Sequence, residues 1–339
     1  MIEKEREKRN QKKRKSRKDI SLTKITTLKL KFILKLEVKI SLLAAITCFL
    51  TSDTSLKLLY RLLKNKFVVL QQMEEQATIS LIEKFQSLNL SAIIDFDKFN
   101  GYAITHHSTT IEGSTLTETE TRLLLDEGIT PAGKPLLHSL MVQDHYNALL
   151  FITQKSKEKI TVTPEFIQQI NTAVMKQTGS IYQTVFGELD ATKGVFRKGN
   201  VSAGNTYFVG YEKVEPLVKK LCNGINEKIV AANTVTEKLN ICFDTHFDLV
   251  TIHPFYDGNG RTARLLMNYL QLGFNLPLSI VFKEDKAAYF EALQQTRKEE
   301  DISIFRTFMN AQYAKYLQQE IEKAEQAEKT GGKGYSFVF

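Results

Sequence analysis

The chain has 339 residues, 42% hydrophobic and 25% charged, an ordinary globular composition with room for one large domain or two smaller ones. Three widely separated cysteines argue against a disulfide framework or a zinc ribbon, and six prolines argue against long rigid linkers. The net charge of +8 sits at one end: residues 1–70 carry 19 Lys/Arg against 6 Asp/Glu, a balance of +13 that leaves −5 for residues 71–339, so no nucleic-acid partner is expected for the body.

Residues 1–72 read as a basic, poorly structured extension, or as a mis-assigned start ahead of Met73. The block "EKEREKRNQKKRKSRKD" should stay solvated. The run "ISLLAAITCFL" (40–50) has only about half the length of a membrane span. It lacks the following small-residue site of a signal peptide, and a basic segment lying on a membrane surface is the alternative. Cysteine usage fits a reducing, cytoplasmic setting.

From Met73 the apolar residues recur at helical spacing. Residues 74–88 are amphipathic. In 117–128, Thr117 and Glu120 have capping-box spacing and Gly128 is a stop signal. A long helix is expected over 134–156, and Thr163–Pro164 opens another over 163–178. Further helices follow over 214–231 and 237–253, with Cys242 and His246 on the core face of the latter. The exception is "RKGNVSAGNTYFVGYEKV" (197–214), which reads as a hairpin with alternation from Thr206 to Tyr211. The fold class is mainly α with one short β-hairpin.

The stretch "TIHPFYDGNGRTARLLMNYLQ" (251–271) carries the chemistry. Pro254 ends the preceding helix and leaves His253 at its mouth. Gly258 and Gly260 permit a turn that points several N–H groups at one spot, and a new helix starts near Asn259–Arg261 and ends at Gly273. A glycine-rich turn at a helix N-terminus favours anions. Arg261 and Arg264, three apart on one face, oppose the helix dipole there. A polyanion would compensate. Asp257 offers a hard oxygen to Mg²⁺, and His253 a general base. The composite is a nucleotide–Mg²⁺ site with a base. No Walker motif occurs.

Read as H-P-F-x-D-G-N-G-R-x-x-R from His253 to Arg264, this constellation resembles the signature of the Fic (Fido) family, and the coarse layout is similar over about 73–315. The resemblance implies a Fic-type helical bundle with a hairpin flap, divided into an N-terminal helical region (73–160), a Fic core (161–315) and a C-terminal helix end and tail (316–339). It implies transfer of AMP from ATP to a Ser, Thr or Tyr hydroxyl of a target protein. His253 would deprotonate the hydroxyl and Asp257 would hold Mg²⁺. Gly258, Asn259 and Gly260 would form the anion hole, with Asn259 orienting the α-phosphate. Arg261 would neutralise the leaving pyrophosphate and Arg264 would hold the γ-phosphate, with Thr262 and Ala263 also beside the nucleotide. Thr206, Tyr207, Phe208 and Val209 would form the flap that docks the target and covers the nucleotide. Tyr289 would lie near the adenine, whose contacts are in question at Arg297, where the family often has a small polar residue.

A second segment, "STTIEG" (Ser108–Gly113), resembles the inhibitory motif of one Fic class. Glu112, one helical turn from Ser108 and followed by Gly113, would pair with Arg264 and take the γ-phosphate position. Self-modification and a homodimer are further expectations. The alternatives are transfer of another group on the same fold, removal of AMP, or a non-catalytic nucleotide-sensing module.

Overall fold

The computed structural model describes residues 73, 75–88, 90, 95–158, 160–184, 187–204 and 206–329. The expectations for residues 1–72 lie outside the described residues, Met73 apart. All described elements belong to the unit Gln72–Phe339.

Helix α1 covers 75–87. Then follow α2 (Phe96–Ile111), α3 (Glu118–Glu127), α4 (Leu136–Lys155) and α5 (Pro164–Val174). Two hairpins come next, β1 (Ile181–Thr184) with β2 (Gly187–Asp190), and β3 (Ser202–Ala203) with β4 (Thr206–Tyr207). The chain closes with α6 (Val214–Ala231), α7 (Val235–Ile252), α8 (Asn259–Gly273), α9 (Lys286–Glu299) and α10 (Ile302–Lys329). Among the described residues no helix is long and apolar enough to cross a membrane.

The helix signals act where the sequence places them. Thr117 and Glu120 form the capping box of α3, and Gly128 closes it in the left-handed conformation. Thr163 caps α5 with Pro164 in its first turn, and Thr234 and Glu237 box the start of α7. Each cap stabilises its helix by about 1 kcal/mol. The hairpin expected around Thr206 is present but shorter, pairing only Ser202 with Tyr207 and Ala203 with Thr206. The alternation beyond Tyr207 ends because Tyr211–Lys213 coil into a 3-10 turn leading into α6. The first hairpin, β1–β2, was not anticipated. Its segment lacks a two-residue Asn-Gly or Asp-Gly turn, and its strands are mostly exposed.

Helix α8 organises the molecule. From Arg261 to Gln271 every residue is buried, polar ones included, as expected of a helix packed on all sides. It packs on α7, α4, α5 and α2. One apolar core runs from Ile82 to Leu317 and joins the N-terminal helices to those around α8. The site therefore sits on a helix end with no freedom to shift.

Candidate active site

The loop between α7 and α8 is determined at almost every residue. His253 closes α7 with φ 52° and ψ 61°, a left-handed conformation uncommon outside glycine, and its N–H still reaches Leu249 O at 3.0 Å. Phe255 plugs the core. Asn259 turns its amide back on the loop: Oδ1 accepts from Phe255 N at 2.9 Å, and Nδ2 donates to Phe255 O at 2.8 Å. Gly258 is required, because at φ 77° a Cβ would meet Asn171 Nδ2 and Met175 Sδ at 2.8 Å. Buried Asn171 holds the turn from α5, donating to Asp257 O at 3.1 Å and to Thr262 Oγ1 at 3.2 Å.

The two arginines lie where the spacing puts them. Arg261 is buried, with Nη2 3.3 Å from Asp257 Oδ1 and 3.4 Å from Met175 Sδ. Among the described residues its Nε and Nη1 have no hydrogen-bond partner, and neither does Arg264 Nη1. Arg264 donates from Nε to Ser108 Oγ at 2.8 Å, and from Nη2 to Ser108 O at 3.0 Å and to Glu112 Oε1 at 2.6 Å. Glu112 is the C-terminal cap of α2, and Gly113 follows at φ 106°. A Cβ on Gly260 would run into the Glu112 carboxylate, which therefore rests directly over the first turn of α8. Burial alone would raise the pKa of Glu112, but the charges of Arg264 and Arg261 outweigh it and hold the carboxyl below its usual range. Burial likewise opposes the charge of Arg264, and the Glu112 carboxylate overcomes that and raises its pKa. The Glu112 side chain remains 29% exposed and that of Arg264 5%, so the carboxylate reaches a buried guanidinium from the rim of the site.

The imidazole of His253 stacks under Phe208, with ring centroids 3.8 Å apart and planes at 15°. Burial pushes its pKa down to about 4, and the Arg197 and Arg297 guanidiniums add to the shift. At neutral pH the ring is uncharged and free to accept a proton. Phe208 belongs to the flap segment, which also places Thr206 and Val209 half-buried and Tyr207 86% exposed. Arg297 lies beside this cluster, with Cζ 5.8 Å from the Phe208 centroid and Nε 3.3 Å from Thr251 Oγ1. The first hairpin leans on the same loop through Tyr182, stacked on Tyr256 at 4.7 Å.

Four residues expected beside the nucleotide are engaged within the protein. Tyr289 is 1% exposed, its hydroxyl 2.9 Å from His246 Nε2 in an aromatic cluster with Phe305 and Phe308. Burial raises its pKa and the neighbouring Arg264 guanidinium opposes that rise, so the ring is packed in the core and borders the site arginine; the exposed neighbouring ring is Phe290. Thr262 and Ala263 are fully buried, and Thr262 N is already bonded to Gly258 O. Asn259 has both ends of its amide on the Phe255 backbone, so its side chain shapes the loop. His246 is the buried, hydrogen-bonded histidine its helical position suggests.

For Mg²⁺, Asp257 is the only candidate in the loop. Its side chain is 52% exposed, and Oδ1 is shared with Gly258 N and Arg261. Among the described residues no group of three or more His, Cys, Asp or Glu side chains could cage a metal. A single exposed carboxylate fits Mg²⁺ bound chiefly through phosphates and water.

Comparison with known proteins places this geometry. Residues 161–271 match the model of the Fic/DOC family. The chain carries a Fic/DOC-family domain. Over 247 residues it is 29% identical to the protein adenylyltransferase Fic of Drosophila virilis, covering 71% of this chain and 48% of that protein, and 28% identical to its counterpart in Drosophila melanogaster, with 71% and 47% covered. The chain thus spans about half the length of the curated relatives it matches. Two solved structures share the fold. A Fic domain containing signaling protein from Bacteroides thetaiotaomicron aligns with TM-score 0.64 at 24% identity, covering 74% of this chain and 97% of that one. Fic-1 from C. elegans aligns with TM-score 0.64 at 22% identity, covering 84% and 80%. In this Fic domain the matched span runs from α5 through most of α8, so it holds both hairpins and the whole motif loop, while Glu112 is delivered from outside it.

Two residues that shape the site escaped the sequence reading. Asn171 sits in an unremarkable helical pattern and gives no signal. Arg197 lies in "VFRKGN", where a cation beside Phe196 and ahead of a glycine resembles any loop arginine.

Proposed function

We propose that the chain moves AMP from ATP to a Ser, Thr or Tyr hydroxyl of a target protein, and that Glu112 restrains it. The observation that supports this above the alternatives is the first turn of α8: unpartnered donors of Arg261 and Arg264 stand beside a helix N-terminus and an uncharged His253. Such a site suits a polyanion and a proton acceptor together. The activity named for the Drosophila relatives agrees with it.

In this scheme the hydroxyl oxygen bonds to the α-phosphorus, the bond from that phosphorus to the bridging oxygen breaks, and pyrophosphate leaves. His253 takes the hydroxyl proton. Arg261 and the start of α8 stabilise charge on the departing phosphates, where fixed dipoles act without reorganising. Mg²⁺, held by Asp257 and the phosphates, would neutralise part of that charge. Asn259 and Asn171 keep the loop in the shape that presents these groups. Arg264 would take the terminal phosphate, and Glu112 now occupies its Nη2. A triphosphate entering beside the carboxylate would be displaced from the in-line pose, which makes α2 an inhibitory helix. The flap, with Tyr207 projecting, would receive the target as an added strand.

The test supplies cell lysate and either the full chain or its Glu112→Gly variant with ATP labelled at the α- or at the γ-phosphate. Covalent transfer of the α-label alone, with the mass of an adenylyl group on a hydroxyl residue, is the expected outcome. Transfer of the γ-label alone would establish phosphate transfer instead. Transfer of neither label would leave a nucleotide-sensing module.

A further inference from the structure

Outside the signature motif, Arg197 is the largest fully buried side chain among the described residues. It is 2% exposed, and burial pushes its pKa down. A guanidinium is costly to bury unless its donors are satisfied. Here its Nε donates to His253 O at 2.8 Å, Nη1 to Gly199 O at 2.8 Å and Nη2 to Val209 O at 2.5 Å. Its main-chain N–H reaches Pro254 O at 2.9 Å. All four bonds go to main-chain carbonyls, and the side-chain ones are charge-assisted and correspondingly strong.

The location of those carbonyls gives the contacts their meaning. His253 and Pro254 begin the motif loop. Gly199 and Val209 stand on either side of β3–β4, at the two feet of the flap hairpin. The planar fork therefore joins the proton acceptor's own peptide to both feet of the segment that covers it. The direction of the His253 carbonyl follows from its ψ, which sits in the left-handed region. Phe208, next to Val209, is stacked on the His253 ring.

We infer that Arg197 is a positioning residue: its guanidinium locks the backbone of His253 to both feet of the flap hairpin, so that one side chain sets the direction of the imidazole and the closure of Phe208 over it. The inference rests on His253 acting as the base of the proposed reaction. Lysine cannot substitute, since one ammonium on a flexible stem cannot reach three carbonyls set around a plane.

The experiment compares the full chain with Arg197→Lys, which keeps the charge, and Arg197→Met, which keeps the length. Three quantities are read: transfer kinetics, the NMR titration of His253, and hydrogen exchange of the Phe208 amide. In both variants kcat should fall about 10- to 100-fold, the scale of a misplaced catalytic group, with KM for ATP within about three-fold. Phe208 should exchange faster, and His253 should titrate at least about one unit higher, because loosening the flap exposes a ring now buried against Phe208 and near Arg297 and Glu112. An Arg197→Lys variant with wild-type titration, exchange and kcat would overturn the inference. If the wild type transfers nothing, the AMP-transfer proposal falls, while titration and exchange still judge Arg197. Should both variants fail to fold, the wild type decides. The Arg197 Nε–H is expected to exchange slowly and at the rate of the Phe208 amide, and rapid exchange like that of a surface arginine would refute the lock.

Discussion

The motif loop, His253 to Arg261, and the flap hairpin meet at the same histidine, yet they are built in opposite ways. The loop is short of freedom at each residue. A left-handed histidine, a plugging phenylalanine, an asparagine bonded twice to one peptide and a glycine with no room for a Cβ all fix it between two buried helices. The flap has two residue pairs of ladder, an exposed tyrosine at its end and one aromatic ring on the site. Electrostatic stabilisation requires the first kind of structure, because donors that must reorganise lose most of their effect. Docking an extended segment of another protein requires the second, because an edge strand accepts many sequences through its backbone.

Substitutions can break the comparison on either side. The largest effect is expected in the loop: His253→Ala should lower transfer about 10²- to 10⁴-fold while ATP affinity, measured by calorimetry, stays near wild type. Next comes the carboxylate lodged over the loop. Glu112→Gly should raise transfer about 10- to 100-fold by returning a charge-assisted bond to the terminal phosphate. It should also lower stability by about 1–3 kcal/mol, since Arg264 loses a partner. The double variant with Arg264→Ala should forfeit most of the gain. Asn259→Ala should lower the denaturation free energy by about 1–3 kcal/mol by stranding the Phe255 N–H and carbonyl, whereas no single flap side chain should cost as much. Acid sharpens the contrast further. His106, His107 and His253 are driven by burial to pKa values of about 3, 4 and 4, against an unfolded value near 6.5. Between those limits the unfolded chain binds more protons. Stability is therefore complete above pH 6.5 and falls as pH drops toward 4, by about 1.4 kcal/mol per pH unit for each such histidine. His107→Gln should flatten the slope of thermal stability against pH by about that amount. The smallest expected effect is at the flap: Tyr207→Ala should change stability by less than about 0.5 kcal/mol while raising KM for the target protein.

The motif loop was legible because its residues contradict their local setting: two arginines at a helix N-terminus have no local benefit, so a ligand is implied. The helices were legible from caps and periodicity, as at Thr117, Thr163 and Gly128. The first hairpin was not, because β1 and β2 carry no strong turn pair and bury little. The burial of Tyr289 was not legible, because an aromatic at helical spacing carries no mark of which way it faces. The two bonds from Asn259 to the Phe255 backbone were not legible, because an amide's partners are fixed by folding and not by its spacing. Asn171 and Arg197 act from 86 and 56 residues away from the peptides they hold, a distance over which no local pattern reports.

The seating of Glu112 divides the hold on Arg264 in two. Ser108 holds Arg264 through both its hydroxyl and its carbonyl, independently of the carboxylate two positions from Thr110, and α2 is packed into the core on several sides. Arg264 is therefore gripped twice, once by a helix embedded in the core and once by a carboxylate that remains 29% exposed. On the proposed function only the second grip competes with a phosphate, and the first leaves the guanidinium aimed at the site when the carboxylate is replaced.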